Sequence, residues 1–168
     1  RLRVDANGGW DVNQTIEMMD WLSRREVDYI EQPLKEGNES DLKYIFKKRK
    51  LPIYLDESCR YANQIPTWAK YVDGINLKLM KCGGITEGLK IINTARDYGL
   101  KTMIGCMSES SLSIAASASI SGIIDHIDLD SHYNLNPDPS IGVALINGIT
   151  SLSDNPGHGG ELKKTFYA

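Results

Sequence analysis

Apolar positions along the chain alternate between two periods. Six short runs, Leu2–Asp5, Val27–Glu31, Ile53–Asp56, Gly74–Lys78, Thr102–Gly105 and His126–Asp130, are compact, rich in branched residues and read as strands. The segments between them repeat their apolar residues at helical spacing. Asn13–Arg25 puts Ile16, Met19 and Leu22 on one face, and Ser40–Lys48 groups Leu42, Ile45 and Phe46. Thr86 can cap a helix carrying Leu89, Ile92 and Ala95 that stops at Tyr98-Gly99. Ser110–Ser121, rich in Ala and Ser, suits close packing on a sheet. Pro66 interrupts the helix expected after Asp56. Beyond His132 the alternation ends. Gly142–Leu152 reads as a hairpin around Asn147-Gly148, followed by the turn Pro156-Gly157-His158-Gly159-Gly160.

Repeated strand–helix units imply a parallel sheet covered by helices, either an open doubly wound sheet or a closed barrel. The open form that binds dinucleotides needs GxGxxG after its first strand, and Asp5-Ala6-Asn7-Gly8-Gly9-Trp10 does not match. Nearly every predicted strand ends in a charged residue, the pattern of a barrel whose chemistry sits at the strands' C-terminal ends. Six units do not close an eight-stranded barrel. The expectation is therefore an α/β chain in which residues 1–168 form a partial (β/α) barrel domain, strands three to eight plus a C-terminal extension, the first two strands lying outside it.

Composition narrows the function only modestly. The chain has 168 residues, 41% apolar and 24% charged, with a net charge of −3. That balance gives no reason to expect nucleic acid or an anionic membrane as partner. The run Lys47-Lys48-Arg49-Lys50 is expected to be a solvated helix end. Cys59, Cys82 and Cys106 are widely spaced and odd in number, which argues against a disulfide framework or a zinc site and favours a cytoplasmic location.

Asp5, Glu31 and Asp56 each end a predicted strand, about 25 residues apart, roughly one βα unit. Three carboxylates gathered on neighbouring strand ends repel one another unless a cation neutralises them, and an all-oxygen set suits Mg²⁺, with Mn²⁺ compatible. Lys78 ends the next strand. A lysine near a divalent cation has its ammonium form disfavoured and can serve as a base. Lys81 lies past the strand end and is expected in solvent. In Asp128-Leu129-Asp130, alternation sends both carboxylates to one side, a receptor suited to an ammonium group.

The strings VDANGGW, YIEQP, LDES and INLKLMKCGG, in this order and spacing, resemble the enolase superfamily in its muconate-lactonizing subgroup. The resemblance covers essentially the whole chain. It implies that Asp5, Glu31 and Asp56 ligate Mg²⁺ and that Lys78 is the acid/base of strand six. A DxD at the last strand is similar to that of the dipeptide epimerases, where it binds the substrate's α-ammonium, so Asp128 and Asp130 become the substrate receptor. Cys106 and Ser108 are candidates to line the substrate site; Asn7, Glu57 and Glu109 are candidates to orient ligands or lysine. No histidine stands where the mandelate-racemase branch would carry a catalytic one; His126, His132 and His158 are expected to be structural or superficial.

The implied function is Mg²⁺-dependent epimerisation of a dipeptide by removal and return of an α-proton. The implied partner is the small dipeptide, with homo-oligomerisation left open. The alternatives are a muconate cycloisomerase or an o-succinylbenzoate synthase-like lyase, neither of which needs Asp128 and Asp130, and a non-catalytic fragment. The subgroup also carries a second lysine, in a KxK motif on strand two, and a capping domain whose loops set side-chain preference. Neither is found in these 168 residues, so the chain by itself is expected to be inactive.

Overall fold

A computed structural model describes residues 2–166. Its strands and helices follow the expected alternation: β1 (Leu2–Asp5), α1 (Val12–Ser23), β2 (Val27–Glu31), α2 (Leu42–Phe46), β3 (Ile53–Leu55), α3 (Ile65–Trp68), β4 (Gly74–Leu77), α4 (Leu79–Cys82), α5 (Ile85–Asp97), β5 (Lys101–Ile104), α6 (Ser111–Ser119) and β6 (His126–Ile127). Short strands β7 (Ser140–Ile141), β8 (Val143–Ile146), β9 (Ile149–Leu152) and β10 (Glu161–Leu162) complete the chain. The first six strands are hydrogen-bonded in chain order. The pairs β1–β2, β2–β3, β3–β4 and β5–β6 are parallel. The chain divides into two compact units, Arg1–Leu77 with Lys90–Thr102, and Lys78–Leu89 with Met103–Ala168.

In the first unit, sheet residues such as Ile30, Ile53, Leu55, Ile75 and Leu77 are buried, and so are Met19 and Leu22 of α1 and Ile91 and Ile92 of α5. Continuous apolar runs are what a sheet covered on both faces requires. Helix α1 begins one residue earlier than its apolar pattern implies. Asp11 caps it, accepting from Gln14 N at 2.8 Å while Gln14 Oε1 accepts from Asp11 N at 3.0 Å. Gly74 makes room for Tyr54: a Cβ there would lie 2.3 Å from the Tyr54 ring, which stacks on Tyr29 at 4.1 Å. The segment after Asp56 is broken, as expected, into one turn of α-helix flanked by 3₁₀ turns, with Pro66 in the first turn of that helix.

The basic run is less solvated than its composition suggests. Arg49 makes a bidentate pair with Asp73 at 3.0 Å to both oxygens and stacks 3.5 Å from the Phe46 ring centre, while Lys50 pairs with Asp20. The planar guanidinium suits both contacts at once.

In the second unit β5 pairs with β6 through Met103↔His126 and Ile104↔Ile127. Strand β6 is three residues shorter than expected. Asp128 N still donates to Ile104 O at 2.9 Å, after which the backbone leaves the ladder. The tail packs on α6 at Gly142, where a Cβ would lie 2.2 Å from Ser111 O. Asp138 pins this contact by accepting from Ser111 N at 3.0 Å and Ser140 N at 2.8 Å. Burial pushes the Asp138 carboxyl up, but the hydrogen bonds from Ser140 and Ser111 outweigh it and hold it below its ordinary range. The hairpin β8–β9 turns at Asn147 and Gly148, both at positive φ, as a two-residue hairpin loop demands.

His132 is only 6% exposed, its ring lies 3.9 Å from that of Tyr133, and neither ring nitrogen has a hydrogen-bond partner. Burial lowers its pKa below the ordinary imidazole value, against the opposing pull of Asp138 and Asp130. The neutral ring is therefore the folded form, and the unfolded chain binds the proton first. Stability from this site is complete above about pH 6.5 and falls as the pH drops from there through the lower folded value. His132→Phe should flatten the decline of the thermal midpoint between pH 7 and 5. An unchanged decline would show that His132 is not the group titrating.

Candidate active site

Parallel register brings the three carboxylates of the first unit together. Asp5 is the direct partner of Glu31 across β1–β2, which puts both on one face. Glu31 is partnered on β3 by Tyr54, and Asp56 lies two residues further along, hence on that same face. One oxygen from each of Asp5, Glu31 and Asp56 lies within 4.8 Å of the others. Glu31 is 5% exposed and Asp56 1%, while Asp5 opens to solvent. Two unit charges about 5 Å apart repel by about 3 kcal/mol at an effective dielectric near 20. A hard divalent cation relieves that cost, and a half-open, all-oxygen set with room for water fits Mg²⁺. The residues present fit the metal.

Neighbouring groups hold these carboxylates in place. Asn76 Nδ2 donates to Glu31 Oε1 at 2.5 Å, and Asn7 reaches Asp5 through its backbone, N to Oδ1 at 2.8 Å. The Asn7 side chain is exposed, so its expected orienting role passes to its main chain. Glu57 is half-buried on the turn after Asp56. Gln32 and Asn76, both buried and not singled out from sequence, belong to the strings YIEQP and INLK. The signal for Gln32 was its place next to Glu31 and for Asn76 its strand parity with Lys78, and an amide side chain does not advertise either by charge.

In the second unit Lys78 follows β4 directly, half-buried, with its backbone still extended at φ −129° and ψ 123°, and it leads into α4. That helix ends at Gly83, φ +86°, in the left-handed conformation glycine tolerates. Asp128 and Asp130 are exposed and Leu129 between them is buried, the alternation expected of extended chain. Both aspartates line one cleft of about 380 Å³, with Ile127, Tyr133 and Thr150 among its walls. Cys106 is half-exposed and Ser108 exposed on the loop after β5, outside the lining of that cleft. Glu109, 2% exposed, braces this loop. Its Oε1 accepts from Met107 N at 2.8 Å, its Oε2 accepts from Ser113 Oγ, and its own N donates to Ser131 Oγ at 3.2 Å. His158 Nδ1 accepts from Gly160 N at 3.1 Å, a local turn contact.

Known proteins carry the same arrangement of elements. The chain is 68% identical over its 168 residues to a hydrophobic dipeptide epimerase of Flavobacteria bacterium (strain MS024-2A), covering 48% of that protein. It is 61% identical over 161 residues to a hydrophobic dipeptide epimerase of Roseobacter litoralis, 96% of this chain and 47% of that one. Among solved structures, the dipeptide epimerase of Cytophaga hutchinsonii complexed with Mg and D-Ala-L-Val superposes with a TM-score of 0.91 at 30% identity, over 98% of this chain and 47% of that one. The chain thus spans about half the length of the curated relatives it matches. Its elements are those of the C-terminal part of an enolase-superfamily barrel. Residues 1–166 match the Enolase C-terminal domain-like family, and the chain belongs to that family.

Proposed function

We propose that this chain supplies the metal ligands, one acid/base lysine and the ammonium receptor of an Mg²⁺-dependent epimerase acting on hydrophobic dipeptides. The observation that carries the reading is the convergence of Asp5, Glu31 and Asp56 oxygens within 4.8 Å. The names of the two relatives at 68% and 61% identity support the substrate class.

In this reading Asp5, Glu31 and Asp56 hold Mg²⁺, which when bound stabilises negative charge developing on the substrate carboxylate. Asn76 fixes the Glu31 carboxylate through its amide hydrogen bond, which keeps the ligand in one rotamer before the metal arrives. Lys78 Nζ takes the proton from the α-carbon of the C-terminal residue, or returns one to it, on one face of the substrate. The opposite face needs a second base, which the resemblance assigns to a lysine outside these residues. Asp128 and Asp130 accept hydrogen bonds from the free α-ammonium and so set where the α-carbon stands. A cycloisomerase or lyase substrate has no ammonium group, and the paired aspartates on one cleft favour the dipeptide over either.

Three measurements on the full-length protein test these roles. Asp56→Asn and Glu31→Gln should each weaken Mg²⁺ binding by more than about a hundredfold, beyond what loss of an outer partner costs. The metal-free thermal midpoint should stay level or rise, since one repelling charge is gone. Calorimetry giving wild-type affinity in either variant removes the residue from the metal site.

Lys78→Ala should abolish solvent deuterium exchange of the α-proton starting from one epimer and leave measurable exchange from the other. Near-wild-type epimerisation in both directions would exclude Lys78 as the acid/base.

Asp130→Asn should lower kcat/KM by roughly ten- to a hundredfold, the equivalent of one charge-assisted hydrogen bond of about 1.5–3 kcal/mol, mainly through KM. An N-acetylated dipeptide should be a poor substrate for the wild type and nearly indifferent to the substitution. Equal turnover of free and acetylated dipeptides by the wild type would end the ammonium-receptor role and advance the cycloisomerase.

A further inference from the structure

Gln32 follows the ligand Glu31 and is 1% exposed, with its backbone at φ +37°. A non-glycine residue in that region is strained, and strain of this kind persists only where the surroundings over-determine it. Pro33 comes next and narrows the backbone choices further. The contacts of Gln32 show what does the determining. Its Oε1 accepts from Asp56 N at 3.0 Å and from Ser58 N at 3.3 Å. Its Nε2 donates to Leu34 O at 2.8 Å and to Ser58 Oγ at 2.7 Å. Both lone pairs and both protons of the amide are thereby used, so neither a carboxylate nor an apolar side chain can replace it.

The backbone of Gln32 reaches the other two ligand turns. Its carbonyl accepts from Gly8 N at 2.8 Å, on the turn that follows Asp5, and its own N donates to Tyr54 O at 2.8 Å, two residues before Asp56. Gly8 allows the approach, since a Cβ there would lie 3.0 Å from Lys35 Cα. Ser58 is held from its far side by donating to Glu39 Oε1 at 2.6 Å. Burial pushes the Glu39 carboxyl up, but hydrogen bonds from Ser58 and Gly37 outweigh it and keep Glu39 an acceptor through the neutral range.

One buried amide residue therefore joins the turns that carry all three carboxylates. We infer that Gln32 is a positioning residue that sets the spacing of Asp5, Glu31 and Asp56, so that the affinity and selectivity of the site for divalent cations depend on a side chain that touches no metal. The inference rests on the reading of this triad as a cation site. Mg²⁺ demands near-ideal octahedral geometry and Ca²⁺ tolerates irregular coordination. Loosening the triad should therefore harm Mg²⁺ more than Ca²⁺, a change that a merely structural role would not produce.

The test is calorimetric titration of the full-length protein with Mg²⁺ alone and Ca²⁺ alone. The wild type is compared with Gln32→Met, Gln32→Gly, Ser58→Ala and, as a destabilised control elsewhere in the first unit, Arg49→Leu. Gln32→Met and Gln32→Gly should bind Mg²⁺ about ten- to a hundredfold more weakly, with the Ca²⁺ to Mg²⁺ affinity ratio raised. Gln32→Gly separates side chain from backbone, because glycine accepts φ +37° without strain. Wild-type Mg²⁺ affinity in that variant overturns the inference. So does an equal loss in Arg49→Leu, which would mean that affinity follows stability, and so does an unchanged Ca²⁺ to Mg²⁺ ratio. Should the Gln32 variants fail to fold, Ser58→Ala decides: a severalfold loss of Mg²⁺ affinity supports the clamp and wild-type affinity rejects it. A wild type that binds neither ion fails the cation site itself, an outcome distinct from all of these.

Discussion

The mutual repulsion of three carboxylates is the constraint around which the first unit is arranged. Asp5, Glu31 and Asp56 have oxygens within 4.8 Å, two of the residues being almost wholly buried. No local preference of the chain would gather them. They are gathered by parallel register, which pairs Asp5 with Glu31 and sets Asp56 two residues beyond the partner of Glu31. That register depends in turn on burying Ile30, Ile53, Leu55 and Ile75. The apolar core thus holds a polar arrangement that works against its own stability, a cost that a cation in the proposed site would relieve.

Burial and polarity are reconciled at the strand ends by amides. Gln32 and Asn76 are uncharged, buried and hydrogen-bonded to ligands or to the turns that bear them. An amide can hold a carboxylate or a backbone N–H without adding to the charge there, which a lysine or glutamate in the same place could not. The second unit uses a different device. Glu109 is a buried carboxylate turned inward on Met107 N and Ser113 Oγ, while its backbone N donates to Ser131 Oγ, and it braces the loop after β5. Asp138 does the same for the tail at the start of α6, where its negative charge also suits the helix N-terminus.

The relatives give this arrangement its chemical context. Proteins named hydrophobic dipeptide epimerases, at 68% and 61% identity, are about twice as long as this chain. The half present here carries the triad, Lys78 and the Asp128–Asp130 pair. In the proposed reading, charge stabilisation and ammonium recognition would both come from strand ends, where rigid backbone sets position.

Sequence by itself determined the alternation of elements, the last strand residues Asp5 and Glu31, and the family, whereas Asp56 and Lys78, expected to end their strands, stand one residue past β3 and β4. Strands of a covered sheet must be apolar throughout, so a charge at their ends stands out against that background, and its spacing by one βα unit is visible without coordinates. It did not determine where elements stop. β6 ends at Ile127 rather than Asp130, because leaving a ladder depends on which partner carbonyls remain, and Asp128 N already donates to Ile104 O, the last residue of β5. Nor did it reveal that Arg49 is bound to Asp73 and stacked on Phe46, since pairing across 24 residues is a property of packing. The tertiary structure alone decided the role of Gln32. An uncharged side chain is marked in the sequence only by its place next to Glu31, and its importance lies in three turns that meet only after the chain has folded.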